Sequence, residues 1–217
     1  MDESLFAERA DINKLRTAVN TLALARNPDQ RNYEVEWKFA KYSYFLGKGE
    51  ALEKDAIAAF EKGRDAARIA SRVDPSKPDG HFWYGANLGE LSRISPVTVG
   101  IKSVDDIRES INASIAIEPG YQNGSGFDAL GQLEMATRTL KGGTIQKAIE
   151  YYEKGLEVSP ENANIRLHLA EAYLAAKKDG DAKKQLNALF ALRPDAGYEI
   201  EHKLAVEKGK ALLSKNF

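Results

Sequence analysis

Two stretches decide the fold: KAIEYYEKGLEVSP at residues 147–160 and DAKKQLNALFALRP at residues 181–194. Laid over each other, they match Ala148 to Ala182, Tyr152 to Leu186, Gly155 to Leu189 and Pro160 to Pro194, a shift of 34 residues. Apolar positions four and three residues apart fall on one face of an α-helix. The closing proline ends each helix, because it lacks an N–H and its ring clashes with the preceding turn. DAIAAFEKG at 55–63 carries the same face on Ala56, Phe60 and Gly63, with about two more turns before Pro75. A fixed period of this length marks a supersecondary unit that cannot bury its apolar face alone and stacks on its neighbours.

Thirty-four residues is the period of the tetratricopeptide repeat, a helix–turn–helix unit. The first, or A, helix of such a pair carries a large residue followed by a small one. Phe39-Ala40 followed by Leu46-Gly47 in the first pair, then Leu88-Gly89, Leu130-Gly131 and Leu169-Ala170, take that place, with Phe39-Ala40 setting the count in the first. The small member is expected to let the A helix approach its B partner. The fold class predicted is therefore all-α: a right-handed superhelix of about four helix pairs, with a leading and a trailing helix. Residues 1–217 form one solenoid, with pairs over about 32–75, 80–119, 126–160 and 162–194 and a C-terminal helix over about 197–214. Ten helices are expected in all, the leading one over 3–26. Ile200, Leu204 and Leu212 form the apolar face of the trailing helix, whose polar outer side suits a solenoid cap. Asp79, Ser103, Ser125, Asn162 and Asp195 are N-cap candidates, since their side chains can accept from unpaired first-turn amides. Residues 95–103 and 118–125 are the longer connections.

Composition excludes several classes of function. Lys and Arg number 31, Asp and Glu 32, so no basic field suits a nucleic acid backbone. No run of about 18 apolar residues spans a membrane. With no Cys, the chain has neither disulfides nor a thiol nucleophile. His81, His168 and His202 lie far apart without metal-ligand spacing, and His81 at a helix start reads as a capping or packing residue. Asp105-Asp106 suits a helix N-terminus electrostatically. No G-x-S-x-G elbow occurs. Gly120–Gly126 is the most loop-like segment, a link between repeats or the rim of a pore. No enzyme, metal or cofactor is expected.

In tetratricopeptide folds the A helices line a concave face, through positions 2, 5, 9 and 12 when the large–small pair is counted as 7 and 8. The candidate binding residues are Trp37, Lys41 and Tyr44 from the first pair and Trp83, Glu90 and Arg93 from the second. The third adds Asp128 and Gln132, and the fourth Asn164 and Glu171. The groove is amphipathic, without the Lys and Arg cluster that grips a peptide carboxylate. If Trp83 faces it, Trp83→Ala weakens binding more than folding.

KFAKYSYFLG at 38–47, AAFEKGRDAARIASRVDP at 58–75 and DGHFWYGANLGEL at 79–91 together resemble the T-component lipoproteins of bacterial TRAP transporters. Pro119-Gly120-Tyr121 followed by Asn123, then LGQL at 130–133 and GGTIQKAIEYYEKGLEVSP at 142–160, continue that likeness. The regulator of microtubule dynamics family is a second likeness, through the long helix before Pro75 and through Trp83, Tyr84, Leu88 and Gly89. The first resemblance implies a periplasmic scaffold bound to a solute-binding subunit, a small apolar ligand, or both, its leader or lipid anchor removed. The alternative is a peptide-docking adaptor unrelated to transport, in the cytoplasm.

Overall fold

A computed structural model describes residues 6–139, 141–194 and 197–217. Among these, ten α-helices and one π-turn form, and no strand. Two compact units divide the chain, Met1–Glu118 and Pro119–Phe217. No helix among the described residues is long and apolar enough to cross a membrane.

The first unit holds α1 (Ile12–Ala25), α2 (Tyr33–Gly49), α3 (Glu53–Val73), α4 (Pro78–Ile94) and α5 (Ile101–Ile117). Asp11 caps α1 by accepting from the Asn13 and Lys14 amides, and Asn32 caps α2 by accepting from Val35 N at 3.2 Å. Ala56, Phe60 and Gly63, the face read from the repeat, are all buried. Gly47 is packed for the expected reason, since a Cβ there would stand 2.6 Å from the Phe60 ring. Gly89 is not: a Cβ there meets nothing within 4 Å. In the second pair the close approach falls one turn earlier, at Gly85, whose Cβ would stand 2.7 Å from Ile111 Cδ1. Buried Asn87 ties the layers together by donating to the carbonyls of Trp83 (2.7 Å) and Ala40 (3.3 Å). Glu36, fully buried, accepts from Arg26 Nε at 2.8 Å and Arg31 Nη1 at 2.9 Å, which fixes the α1–α2 connection onto α2.

Two helix-start expectations are corrected here. Pro78 begins α4, as its fixed φ and missing N–H allow at the first helical position. Asp79 therefore lies inside the first turn, where it accepts from Tyr33 Oη at 2.6 Å. The 95–103 connection is a π-turn, Pro96–Gly100, running directly into α5, so Ser103 is a buried helical residue and no cap.

The second unit holds α6 (Tyr121–Ala136), α7 (Ile145–Val158), α8 (Ala163–Ala175), α9 (Asp179–Ala191) and α10 (Glu199–Asn216). The 34-residue match is realised in its core. Ala148, Tyr152, Ala182, Leu186 and Leu189 are at most 1% exposed, and Gly155 is buried beside them. Gly131 lies against the Tyr152 ring so closely that a Cβ would overlap it. Asn162 caps α8 as expected, accepting from Ile165 N at 3.1 Å. Gln122, Asn123 and Gly124 are all left-handed, at φ 49, 56 and 71°, so regular α6 starts only after them. Ser125 does not cap it: its hydroxyl donates back to the Gln122 carbonyl at 2.6 Å. Asp195 lies outside the described residues. The apolar face of α10 is rotated from the expected one. Ala205 and Gly209 are buried with Leu212 beside them, while Leu204 is half exposed. Small size decides this, because a Cβ on Gly209 would stand 2.9 Å from Leu189.

Candidate functional site

Each unit presents an A-helix face of its own. In the first unit α2 and α4 contribute a cluster of rings. Trp83 packs against Phe82, Tyr44 and Phe45 at centroid distances of 4.9, 5.5 and 5.8 Å. It is 2% exposed, which corrects the expectation that it offers its ring to a partner. Period-four spacing gives a residue's place on the helix, but not how deeply the neighbouring helix covers it. Trp37 is buried too, and Lys41 is 5% exposed with its ammonium 4.5 Å from the Phe6 ring and 5.8 Å from Trp37. A buried ammonium over ring faces is held by their negative quadrupole. Tyr44 is half-buried.

Beyond the rings the surface becomes charged. Glu90 accepts from Lys48 Nζ and from Arg93 Nε, each at 2.8 Å. Burial alone would raise the Glu90 carboxyl, but Lys48 first and Arg93 second outweigh it and hold it below the ordinary range. Arg93 is exposed, so its free guanidinium edge faces solvent.

The N-terminal turn adds residues that the repeat pattern does not reveal. The Phe6 ring meets Phe45 edge-on at 5.7 Å, and the buried Arg9 guanidinium lies 3.9 Å from Phe6 and 5.8 Å from Phe45.

In the second unit α6 and α8 meet through a polar contact. Asp128 is 8% exposed; its carboxylate accepts from Gln132 Nε2 at 2.8 Å and pairs with His168 Nδ1 at 2.6 Å. Asp128 thus joins the two helices from beneath the surface, while Gln132 and Glu171 are exposed and Asn164 half-buried. Burial pulls the His168 imidazole down. The charge and hydrogen bond of Asp128, with Glu171 adding to them, outweigh that and leave it above its ordinary value. The Tyr152 ring lies 6.1 Å from the imidazole. His168 stands 40 residues after Asp128, about one repeat, so comparing successive A helices was the signal that could have found the pair. His81 bonds the Pro75 carbonyl at 3.0 Å, so of its two expected roles it takes packing against the preceding loop and not capping. Among the described residues no three His, Asp or Glu side chains converge as metal ligands.

The fold has solved counterparts. Over 89% of this chain and 92% of the other, it is similar to the crystal structure of MamA, at a TM-score of 0.52 and 18% identity. It is similar at 0.53 and 17% identity to TTC0263, a thermophilic TPR protein of Thermus thermophilus, covering 89% and 97% of the two chains. At these identities the likeness concerns fold alone. No curated protein sequence matches the chain. A tetratricopeptide repeat profile matches residues 139–199. The profile described as regulator of microtubule dynamics protein 1-3 matches residues 3–124, more than half of the 217. These matches agree with the stacked helix pairs: this is a tetratricopeptide repeat protein, and the chain belongs to the regulator of microtubule dynamics protein 1-3 family.

Proposed function

We propose that the chain is a non-catalytic adaptor that binds a protein segment along its A-helix faces. One observation carries the reading. Exposed polar and charged side chains, Arg93 in the first unit and Gln132 and Glu171 in the second, stand on A helices whose deeper residues are locked into rings or ion pairs. Such a surface is rigid and can be read by side chains without rearranging. The narrower expectation is a transport-associated component that binds a solute-binding subunit or a small apolar ligand. It rests on the T-component likeness alone, and the family match over 3–124 covers most of the residues that carried that likeness. The adaptor reading is therefore preferred.

Affinity capture with the full chain tests this reading. Arg93→Glu and Glu171→Lys reverse exposed charges without touching the core. A protein retained by wild type and released by either variant, at unchanged melting temperature, supports the adaptor. Retention of no protein, or retention indifferent to both variants, contradicts it. Microtubule co-sedimentation belongs among the assays because the family is named for microtubule dynamics.

A further inference from the structure

Asn123-Gly124 is the one Asn-Gly pair in the sequence. Such a pair carries latent chemistry, because glycine has no side chain to shield its peptide nitrogen from the asparagine amide. With its proton removed to water or hydroxide, that nitrogen can attack Cγ and close a five-membered succinimide. A C–N bond forms, and the side-chain nitrogen leaves as ammonia. Water then opens the ring. Cleavage of the Cγ–N bond leaves aspartate, and cleavage at the backbone carbonyl leaves isoaspartate, with one methylene more in the main chain.

The fold holds this pair far from the reacting geometry. Ring closure needs the Gly124 nitrogen to eclipse Cβ of Asn123. At φ 56° and ψ 43°, tetrahedral geometry at Cα puts that nitrogen nearly anti to Cβ instead. Three contacts keep it there. Asn162 Nδ2 donates to the Asn123 carbonyl at 2.6 Å, which fixes the peptide plane that would have to turn. The Gly124 N–H, whose proton must leave, donates to the Gly120 carbonyl at 3.2 Å. Gly124 itself is buried, and a Cβ on it would stand 2.9 Å from Ser159 Oγ. Asn162 is a firm post for the first contact, being 7% exposed and held through Oδ1 to the Ile165 amide of α8.

We propose that Asn123-Gly124 is a deamidation site masked by the fold, and that Asn162 is the residue that masks it. Local opening of the turn unmasks the site while the rest of the unit stays folded. The conversion is one-way. Isoaspartate lengthens the main chain within the left-handed run, so the carbonyl of residue 123 no longer falls opposite Asn162 when the turn recloses. The site thereby records opening of the segment that begins the second unit, a property independent of the adaptor reading.

The test incubates the full chain at mildly alkaline pH and body temperature and follows deamidation at position 123 by peptide-mapping mass spectrometry. The peptide PGYQNGSG, residues 119–126, is the unmasked reference. Wild type is expected to deamidate at least about tenfold more slowly than the peptide. Asn162→Ser, which keeps a capping oxygen and loses the reach to Asn123, is expected to deamidate several-fold faster than wild type. Should it lose helicity by circular dichroism, Asn162→Asp replaces it with the same expectation, since it is isosteric, still caps α8 and has no donor for the Asn123 carbonyl. Thr144→Ala removes a cap in the same unit, where Thr144 accepts from Lys147 N at 3.1 Å, without touching the turn. It is expected to keep the wild-type rate. A wild-type rate equal to that of the peptide overturns the proposal. So does a wild-type rate in the Asn162 variant, or equal acceleration in Thr144→Ala, which would assign the protection to the whole unit.

Discussion

Single residues separate the positions where the repeat needs a small side chain from those where it merely has one. Gly131→Ala drives a methyl into the Tyr152 ring, which is 1% exposed and cannot retreat. Urea unfolding should show a loss of about 1–3 kcal/mol, the usual cost of overpacking. Gly89→Ala meets open space inside a helix. It should leave the protein as stable, or gain about 0.5–1 kcal/mol from helix propensity. Equal destabilisation at both sites would mean that the second pair closes at Gly89 after all. Trp83→Ala should cost about 3–5 kcal/mol of stability, as large buried aromatics do, reversing the expectation that binding suffers first. His168 adds a pH dependence. Its folded-state pKa is raised by Asp128, so its contribution is complete below the unfolded value of about 6.5 and is lost as pH rises through the folded value. The melting-temperature gap between wild type and His168→Gln should therefore be wider in mildly acidic buffer and shrink as pH rises above neutrality. A gap that widens with pH contradicts the pairing.

At the scale of elements, four of the ten helices described start on a side-chain cap, and one of those caps does two jobs. Asn162 caps α8 through Oδ1 and also donates from Nδ2 to the Asn123 carbonyl at 2.6 Å, which holds the left-handed residues ahead of α6. Asn162→Ser keeps a capping oxygen and loses the reach to Asn123; Asn162→Ala loses both. Losing the cap alone costs about 0.5–2 kcal/mol. The alanine variant should be the less stable of the two, and in both variants amide exchange at residues 122–125 should accelerate. Unchanged exchange there would mean the turn is held by its own bonds. The α1–α2 connection hangs on Glu36 in the same way. Because Arg26 and Arg31 remain partly solvated, Glu36→Ala should cost about 2 kcal/mol, less than the 3–5 typical of fully buried pairs.

For the molecule as a whole, legibility follows from what a repeat encodes. The faces through Ala148, Tyr152 and Gly155, and through Ala182, Leu186 and Leu189, were readable because side-chain size recurs at a fixed shift and size is what stacking selects. So were the four helix pairs, since prolines punctuate them, whereas of the described cap candidates only Asn162 marks a helix start. Depth was not readable. Three adjacent aromatics, Phe82, Trp83 and Tyr84, give no phase to the pattern, and only the structure shows that Trp83 goes to the core while Tyr84 stays half-buried. Contacts outside the repeat were silent as well. Phe6 meets Phe45 with no periodic relation, and the Pro96 π-turn and the left-handed run at 122–124 are backbone events whose residues look like ordinary loop. The near balance of 31 basic and 32 acidic residues hides local pairing such as Lys48–Glu90–Arg93, so net charge described the chain without locating a surface.

Whether partners are met on the A helices is tested most directly by site-directed photo-crosslinking. A photoreactive residue replaces, one at a time, Arg93, Gln132 or Glu171 on A helices, and Lys62 or Lys154 on B helices, all of them exposed. Crosslinks to another protein are expected from the first three positions, and few or none from Lys62 and Lys154. Crosslinks that come equally or mainly from the B-helix positions would contradict the adaptor reading.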